Sequence, residues 1–483
     1  MSVPAIGSAE RADRLAREVQ AAVPAYRRFL EARGFPADGP FGLRPLTDKK
    51  SYLTAQAYDE LLAAEFDQTF AIFASSGSSG QAFYWPQLKD SHRTALPNLR
   101  AFLEQTFAIQ QRRTLAVVGL ALGSWIGGEH LSWLLKSLAL ACPYPLAVFS
   151  PGNRHDEIIR MARRAERFVD QIVLFVCPSA IAHLFLLAER LGTPLPVGRM
   201  RYVVLGESFP EFVRAQLHQR AGVARTENLL FSVYGSADTG VLGAESPASV
   251  AVRRLLSENP ALKQELAVGP IIPHLFHAAA ADAYLEDVSG ELCVTRSQGI
   301  PLVRYNLHDA VSLCSWAALR RAVLESPHLR PEDDDLRAVI AGAGEELPDL
   351  LAVRGRADRT LILCGTNLTE AMLDQAIKSS SLATYLTGCY RARVAYDGDR
   401  QRLEFDLELR AGVASDSATM DAVYGPLLVA LGEAQPEFRD DWQNVYRAWD
   451  DDPARRILRL NGVPWPRLSQ PDRPQIKQRG IEP

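Results

Sequence analysis

The feature that most restricts this chain is a recurrence of short, apolar, β-favouring runs at residues 115–122, 172–176, 202–205 and 230–233. Each has the length of a strand, and none alternates apolar with polar residues as a strand with one wet face would, so each reads as buried on both faces. Between them lie stretches of helical period. In residues 156–168, for example, Ile158, Ile159, Ala162 and Ala165 share one helix face. Buried strands alternating with amphipathic helices predict an α/β fold, with parallel or mixed sheets covered by helices in a large N-terminal domain.

The pattern changes near the end. Residues 391–396 and 403–409 read as two strands around a polar turn at 397–400, and 418–431 as a helix, which predicts a small α+β unit. A boundary near Arg356 gives a large domain over 1–355 and a small mobile C-terminal one over 356–483, a division that 483 residues allow at roughly 150 per folding unit. The proline-rich tail, 464–483, is expected to run extended over the surface.

Composition excludes several functions. Lys plus Arg number 53 against 57 Asp plus Glu, a net charge of -4, so there is no cationic field for nucleic acid or anionic lipid and a small-molecule ligand is expected. The most apolar region, 115–149, is broken by Glu129, Lys136, Pro143 and Pro145 and lacks the run of about 20 apolar residues a bilayer requires. Residues 1–20 carry six charges from Glu10 to Glu18 and no apolar export segment, which predicts a cytoplasmic protein. The cysteines are scattered without metal-site or disulfide spacing, so reduced thiols are expected. No pattern sets the oligomeric state, and a homodimer is left open.

Five short segments carry candidate chemistry. Ser75-Ser76-Gly77-Ser78-Ser79-Gly80 follows an apolar lead-in; its glycines permit tight backbone turns and its hydroxyls add donors, so it reads either as a phosphate cradle or as a flexible linker. It is not the Walker loop, because no Gly-Lys-Ser/Thr follows. Tyr234-Gly235-Ser236-Ala237-Asp238 comes directly after a strand; an aromatic there can stack on a base, and a carboxylate four residues on can hold Mg²⁺ against phosphate. Gly290-Glu291-Leu292 and then Arg304-Tyr305 read as two strands ending on Asp309, whose two oxygens can accept both ribose hydroxyls. Gly355-Arg356-Ala357-Asp358 precedes Gly365-Thr366-Asn367-Leu368, and Lys477 lies in the tail.

In this order the five segments resemble the signatures of the adenylate-forming superfamily, which includes acyl-CoA ligases, peptide-synthetase adenylation domains and luciferases. Tyr26-Arg27-Arg28-Phe29, Pro45-Leu46-Thr47-Asp48-Lys49 and Gly206-Glu207-Ser208-Phe209-Pro210 look more like the phenylacetate-coenzyme A ligase branch, and the resemblance covers nearly the whole chain. It implies ATP, Mg²⁺ and coenzyme A as co-substrates and cofactors. Residues 75–80 would hold the phosphates, Tyr234, Gly235 and Ser236 the adenine side, Asp238 the Mg²⁺, and Asp309 with Arg356 the ribose. Asp358 would be the hinge, Lys477 the cation at the α-phosphate, and Gly206 and Glu207 would line the acyl and adenine pocket.

The implied reaction is activation of a carboxylic acid to an acyl-adenylate and transfer to coenzyme A, with an amine or a carrier protein as the alternative acceptor. Trp125 and Phe231 suggest an aromatic or arylacetic acid, although such residues are also common in cores. The sequence departs from the family at Ala237, where Ser or Thr is usual, at Asp238, where Glu is usual, and at Gln81-Ala82, where Lys-Pro is common. These departures sustain a second alternative, a nucleotide-binding protein with little or no turnover.

Overall fold

The computed structural model describes residues 2–63, 66–75, 83–279, 281–358 and 360–468. Its centre is a twelve-stranded sheet whose two halves differ in direction. In the first half β4 (Thr114–Gly119), β5 (Leu146–Phe149), β6 (Gln171–Val176), β7 (Met200–Val204) and β8 (Leu230–Ser236) run in parallel. In the second half β9 (Gly240–Ala244), β10 (His274–Ala278), β11 (Ala283–Val288), β12 (Glu291–Arg296), β13 (Leu302–Cys314) and β14 (Leu350–Arg356) are antiparallel, with β1 (Ala5–Ile6) at the edge. The order across the sheet is β1-β11-β12-β13-β14-β10-β9-β8-β7-β6-β4-β5.

The continuous apolar runs have a direct cause. Leu115, Val117, Ile172 and Leu174 point to one face, against helices His155–Ala165, Pro178–Arg190 and Glu211–Ala221. Ala116, Val118, Val173 and Phe175 point to the other, against helices Lys89–Phe107 and Ile126–Ala141. With both faces dry, every strand position must be apolar. The helical stripe read at 156–168 is the buried face of His155–Ala165, where Ile158, Ile159, Ala162 and Ala165 are at most 1% exposed.

Strand β8 belongs to both halves. Its first residues pair with β7 in parallel and its last with β9 in antiparallel, and where β8 leaves β7 the Ser232 amide donates to Glu245 Oε2 at 2.7 Å. The guanidinium of Arg214, fully buried, donates to the Leu230 carbonyl and to the carboxylates of Glu211 and Glu245, so this bend rests on a dry, mutually neutralised ion cluster.

Beyond β14 a hairpin of β15 (Leu361–Leu363) and β16 (Thr366–Leu368) leads to a three-stranded sheet of β17 (Leu386–Asp397), β18 (Arg400–Leu409) and β19 (Leu458–Val463). Helix Ser417–Ala434 packs in the apolar cluster that this sheet forms. The expected strand pair, turn and helix are all present. The remaining hairpin, β2 (Thr69–Ser75) with β3 (Phe83–Leu88), stands apart from the large sheet and flanks the serine/glycine stretch. Among the described residues no helix is long and apolar enough to cross a membrane.

Candidate functional site

A cavity of about 1690 Å³ opens where β8 changes neighbours, beyond the carboxyl ends of the parallel strands. Open α/β sheets offer a ligand crevice at such a point because loops from adjacent strands diverge there. Ser75, Gly206, Glu207, Tyr234, Gly235, Ser236, Asp238, Asp309, Arg356 and Asp358 all border it. Ser76, Gly77, Ser78, Ser79, Gly80 and Lys477 lie outside the described residues.

At one end of the cavity each carboxylate has a partner. Asp238 accepts from the Tyr305 hydroxyl at 2.6 Å and stands 3.8 Å from Lys49 Nζ. Lys49 donates to Ser75 Oγ at 3.1 Å, and Ser75, 2% exposed, closes strand β2 through its hydroxyl to the Phe83 carbonyl at 3.3 Å. The base of the serine/glycine stretch, a lysine and the Asp238 carboxylate therefore share one spot. Lys49 was quoted in the sequence only as part of a resembling segment and was given no role there. Its signal was weak, because a lysine after a Thr-Asp pair looks like a solvated charge.

Asp309 accepts from the Tyr234 hydroxyl on one oxygen and from Arg356 Nη1 at 3.2 Å on the other, while Arg356 also donates to the Leu307 carbonyl at 2.7 Å and binds Asp358. Burial pushes the Asp309 carboxyl up against the opposing pull of Arg356. For Asp358 burial also opposes charge, but the Arg356 hydrogen bonds and charge outweigh it and hold the carboxyl below its usual range. Burial and then Asp309 push the Tyr234 phenol well up, so it stays a donor.

Two sequence expectations need correction here. Tyr234 is not at a strand end: β8 continues to Ser236, and the ring stacks on Phe276 with centroids 5.3 Å apart. Asp309 does not end its strand either, since β13 runs on to Cys314 past a bulge at 310–311 that leaves Asp309 opposite Arg356. Both follow from the antiparallel half of the sheet, which extends strands that the apolar run alone would stop. Gly235 and Ser236 are explained by this hairpin: a Cβ at Gly235 would meet the Gly240 carbonyl at 2.3 Å, and Ser236 Oγ accepts from the Thr239 amide at 3.1 Å. Phe231 is 2% exposed against Phe107 and belongs to the core, whereas Trp125 does border the cavity.

Glu207 faces away from the Tyr234–Asp309 end. Its Oε1 accepts from Ser179 at 2.6 Å, and its neighbours are Cys177, Cys364, Gln401 and Asp441, so it sits where the C-terminal unit meets the large sheet. That meeting is made by Tyr396, which donates to the Ser208 carbonyl at 3.3 Å, by Arg220 with Asp399 at 3.0 Å, and by the His183 and Tyr446 rings at 4.7 Å. Gly206 beside it has φ 89°, a left-handed value that glycine adopts without strain.

Among the described residues no group of three His, Cys, Asp or Glu is placed to hold a metal. Asp238 is a lone carboxylate with one hard oxygen facing the lysine, a donor set that fits Mg²⁺ only when phosphate supplies most of the remaining ligands.

The fold, a mixed α/β architecture with a large helix-flanked sheet, is similar to that of solved CoA-ligase structures. A solved structure of 2-hydroxyisobutyryl-CoA ligase in complex with 2-HIB-AMP and CoA in the thioesterification state is similar to it, with a TM-score of 0.57 and 14% identity, covering 98% of this chain and 90% of that one. The same ligase in the postadenylation state with R3-HIB-AMP gives a TM-score of 0.50 at 14% identity over 99% and 90%. No protein-family model matches the chain, and no curated protein matches it in sequence.

Proposed function

We propose that the protein activates a carboxylic acid with ATP, releasing pyrophosphate and holding an acyl-adenylate for transfer to a second nucleophile. The observation that carries this reading is the convergence of Ser75, Lys49, Tyr234, Asp238, Asp309 and Arg356 on one cavity, although they come from five separate stretches of chain. The likeness of the fold to a ligase captured with an acyl-AMP supports it.

In this reading Asp309 and Arg356 hold the ribose, and Tyr234 presents its ring to the adenine while its hydroxyl fixes Asp309. Lys49 and the hydroxyls of 75–80 meet the phosphates, where attack of one anion on another demands positive charge. Asp238 would hold Mg²⁺ that enters with ATP, and the metal would supply positive charge against the phosphates. Lys477 supplies the cation at the α-phosphate, and the chain after Arg356 turns about Asp358, which separates the domains 1–355 and 356–483. The acyl group occupies the apolar wall made by Phe102, Leu120, Trp125, Leu131, Phe175 and Val203, whose aromatic content favours an aryl or arylacetic acid. The phenylacetate-coenzyme A ligase branch is the nearest functional comparison that its motifs support.

Carboxylate-dependent exchange of labelled pyrophosphate into ATP, screened over aryl, arylacetic and fatty acids, tests the proposal. Exchange with at least one class is expected, and silence across all of them with ATP binding intact would count against it.

A further inference from the structure

The opposite end of the cavity, between helix Pro178–Arg190 and the short helix Pro436–Asp441, has a different chemistry that adenylation does not use. Glu207 is 8% exposed, and its Oε2 is buried without a hydrogen-bond partner. The nearby Gln401 amide donates one hydrogen to Tyr396 Oη at 3.0 Å and lies close enough to favour the Glu207 carboxylate with the other, a neutral donor that brings no charge. Asp441 accepts from the Thr366 hydroxyl at 2.8 Å, and Glu437 also borders this end. The remaining neighbours are Ser179, the thiols of Cys177 and Cys364, and Tyr446, with burial pushing both thiols and the phenol up and so keeping them neutral. Among the described residues bordering the cavity, the lysines and arginines are Lys49, Lys50, Arg296 and Arg356; His130, His155, His274, His277 and His308 border it too, and burial lowers His155, His274 and His277 and so keeps them neutral. Lys49 and Arg356 bind the carboxylates of the nucleotide end, Lys50 adjoins Lys49, and Arg296 donates to the Thr239 carbonyl next to Asp238.

We propose that this end is the acceptor site and that it takes a primary amine as its ammonium ion, in place of coenzyme A, with Glu207 as the base that receives the amine's proton. The proposal rests on the acyl-adenylate reading above. An ammonium brings a positive charge and three donors to Glu207 Oε2 and Asp441, whereas the arm of coenzyme A, with its amides and thiol, brings neutral donors and no charge. Without a ligand, burial with added repulsion from Asp441 pushes Glu207 up to about 8, and burial pushes Asp441 to about 6. A bound ammonium favours the ionised form of each.

The ammonium passes one proton to the Glu207 carboxylate, and the nitrogen lone pair attacks the acyl carbonyl carbon. A C–N bond forms, the bond from that carbon to the adenylate oxygen breaks, and AMP leaves with the electron pair. The second nitrogen proton passes to Asp441 and on to solvent. Acyl-adenylate and amine thus give amide and AMP with no other reactant.

The test uses the full-length protein with MgATP. The acid that best supports pyrophosphate exchange is incubated with methylamine, putrescine, glycine or coenzyme A, and AMP and product mass are measured. At least one amine is expected to raise AMP release tenfold over the amine-free rate and to yield amide. Glu207→Gln should cut amide formation at least tenfold more than it cuts exchange, with melting confirming that it folds. Acyl-coenzyme A with no amide from any amine overturns the proposal, as does wild-type amide formation by Glu207→Gln. Calorimetric titration of the same amines into the protein without ATP reads the site independently of adenylation. Saturable binding that Glu207→Gln abolishes supports the proposal, and absence of binding overturns it; silent exchange alongside such binding counts against the adenylation reading only.

Discussion

The two ends of the cavity treat carboxyl groups in opposite ways. At the nucleotide end Asp238, Asp309 and Asp358 each face Lys49 or Arg356, while at the seam with the C-terminal unit Glu207 and Asp441 are met by uncharged donors, among them the hydroxyls of Ser179 and Thr366. What differs is the supply of cations. Asp358, open to solvent on one side, is held below its usual range by the Arg356 guanidinium, and the more deeply buried Asp309 is pushed up by burial against the pull of the same group; Glu207, with no lysine or arginine beside it, is pushed up to about 8. The first end is balanced for an anionic ligand with its own metal, and the second lacks a positive charge.

The largest effect that tests this contrast is expected at Arg356. Arg356→Met strands Asp309 without a cation and removes a donor from the Leu307 carbonyl, so exchange should fall by about 10³-fold and unfolding free energy by about 3 kcal/mol. Labelled pyrophosphate exchange and denaturant melts measure the two losses, and a variant as active as the parent would remove Arg356 from the site. Lys49→Met should lower exchange by about 10²-fold, with partial recovery in Lys49→Arg, because a fixed cation at developing phosphate charge has that order of effect. A loss that Lys49→Arg restores in full would sharpen the reading to charge alone.

The third effect is in pH. Native Glu207 keeps its proton up to about 8, whereas the unfolded chain releases it near the ordinary value of 4.5. Between those values the native state binds more protons, so this group's contribution to stability falls as pH rises, by about 1.4 kcal/mol per pH unit at most. Glu207→Gln removes that slope. Melting temperature measured from pH 5.5 to 8.5 should therefore fall more steeply in the wild type than in the variant; parallel curves would mean that Glu207 is already charged. The smallest effect is expected at the surface pair Arg220–Asp399, where Arg220→Ala should change stability by about 0.5 kcal/mol or less because Arg220 is 41% exposed.

Much of the fold was legible because its cause is local. The central runs of the parallel strands are apolar since both faces are covered, with polar residues such as Thr114, Gln171 and Arg201 at or near their starts, and the hairpin of β17 and β18 announces itself by alternation around Gly398-Asp399. The antiparallel half was harder to read. Strands β8 and β13 extend past their apolar runs because they gain partners in β9 and β14 that are distant or turned back on them, which no window of sequence contains. Among the residues that border the cavity, Tyr234, Asp238, Asp309 and Arg356 lie in the motifs that carry the family resemblance, which implied their roles. Lys49 and Tyr305 were not given roles, because their importance lies in whom they meet: Asp238 is 189 positions from one and 67 from the other.

By itself the sequence determined an α/β chain with buried parallel strands, a differently built C-terminal unit and five ordered motifs, since periodicity and turn chemistry act over a few residues. Only the tertiary structure decided that the described residues of four of these motifs share one cavity, that Lys49 joins them, and that Glu207 and Asp441 meet across the seam with no lysine or arginine between them. Burial and charge balance depend on what is packed alongside, and that is set by contacts between residues far apart along the chain.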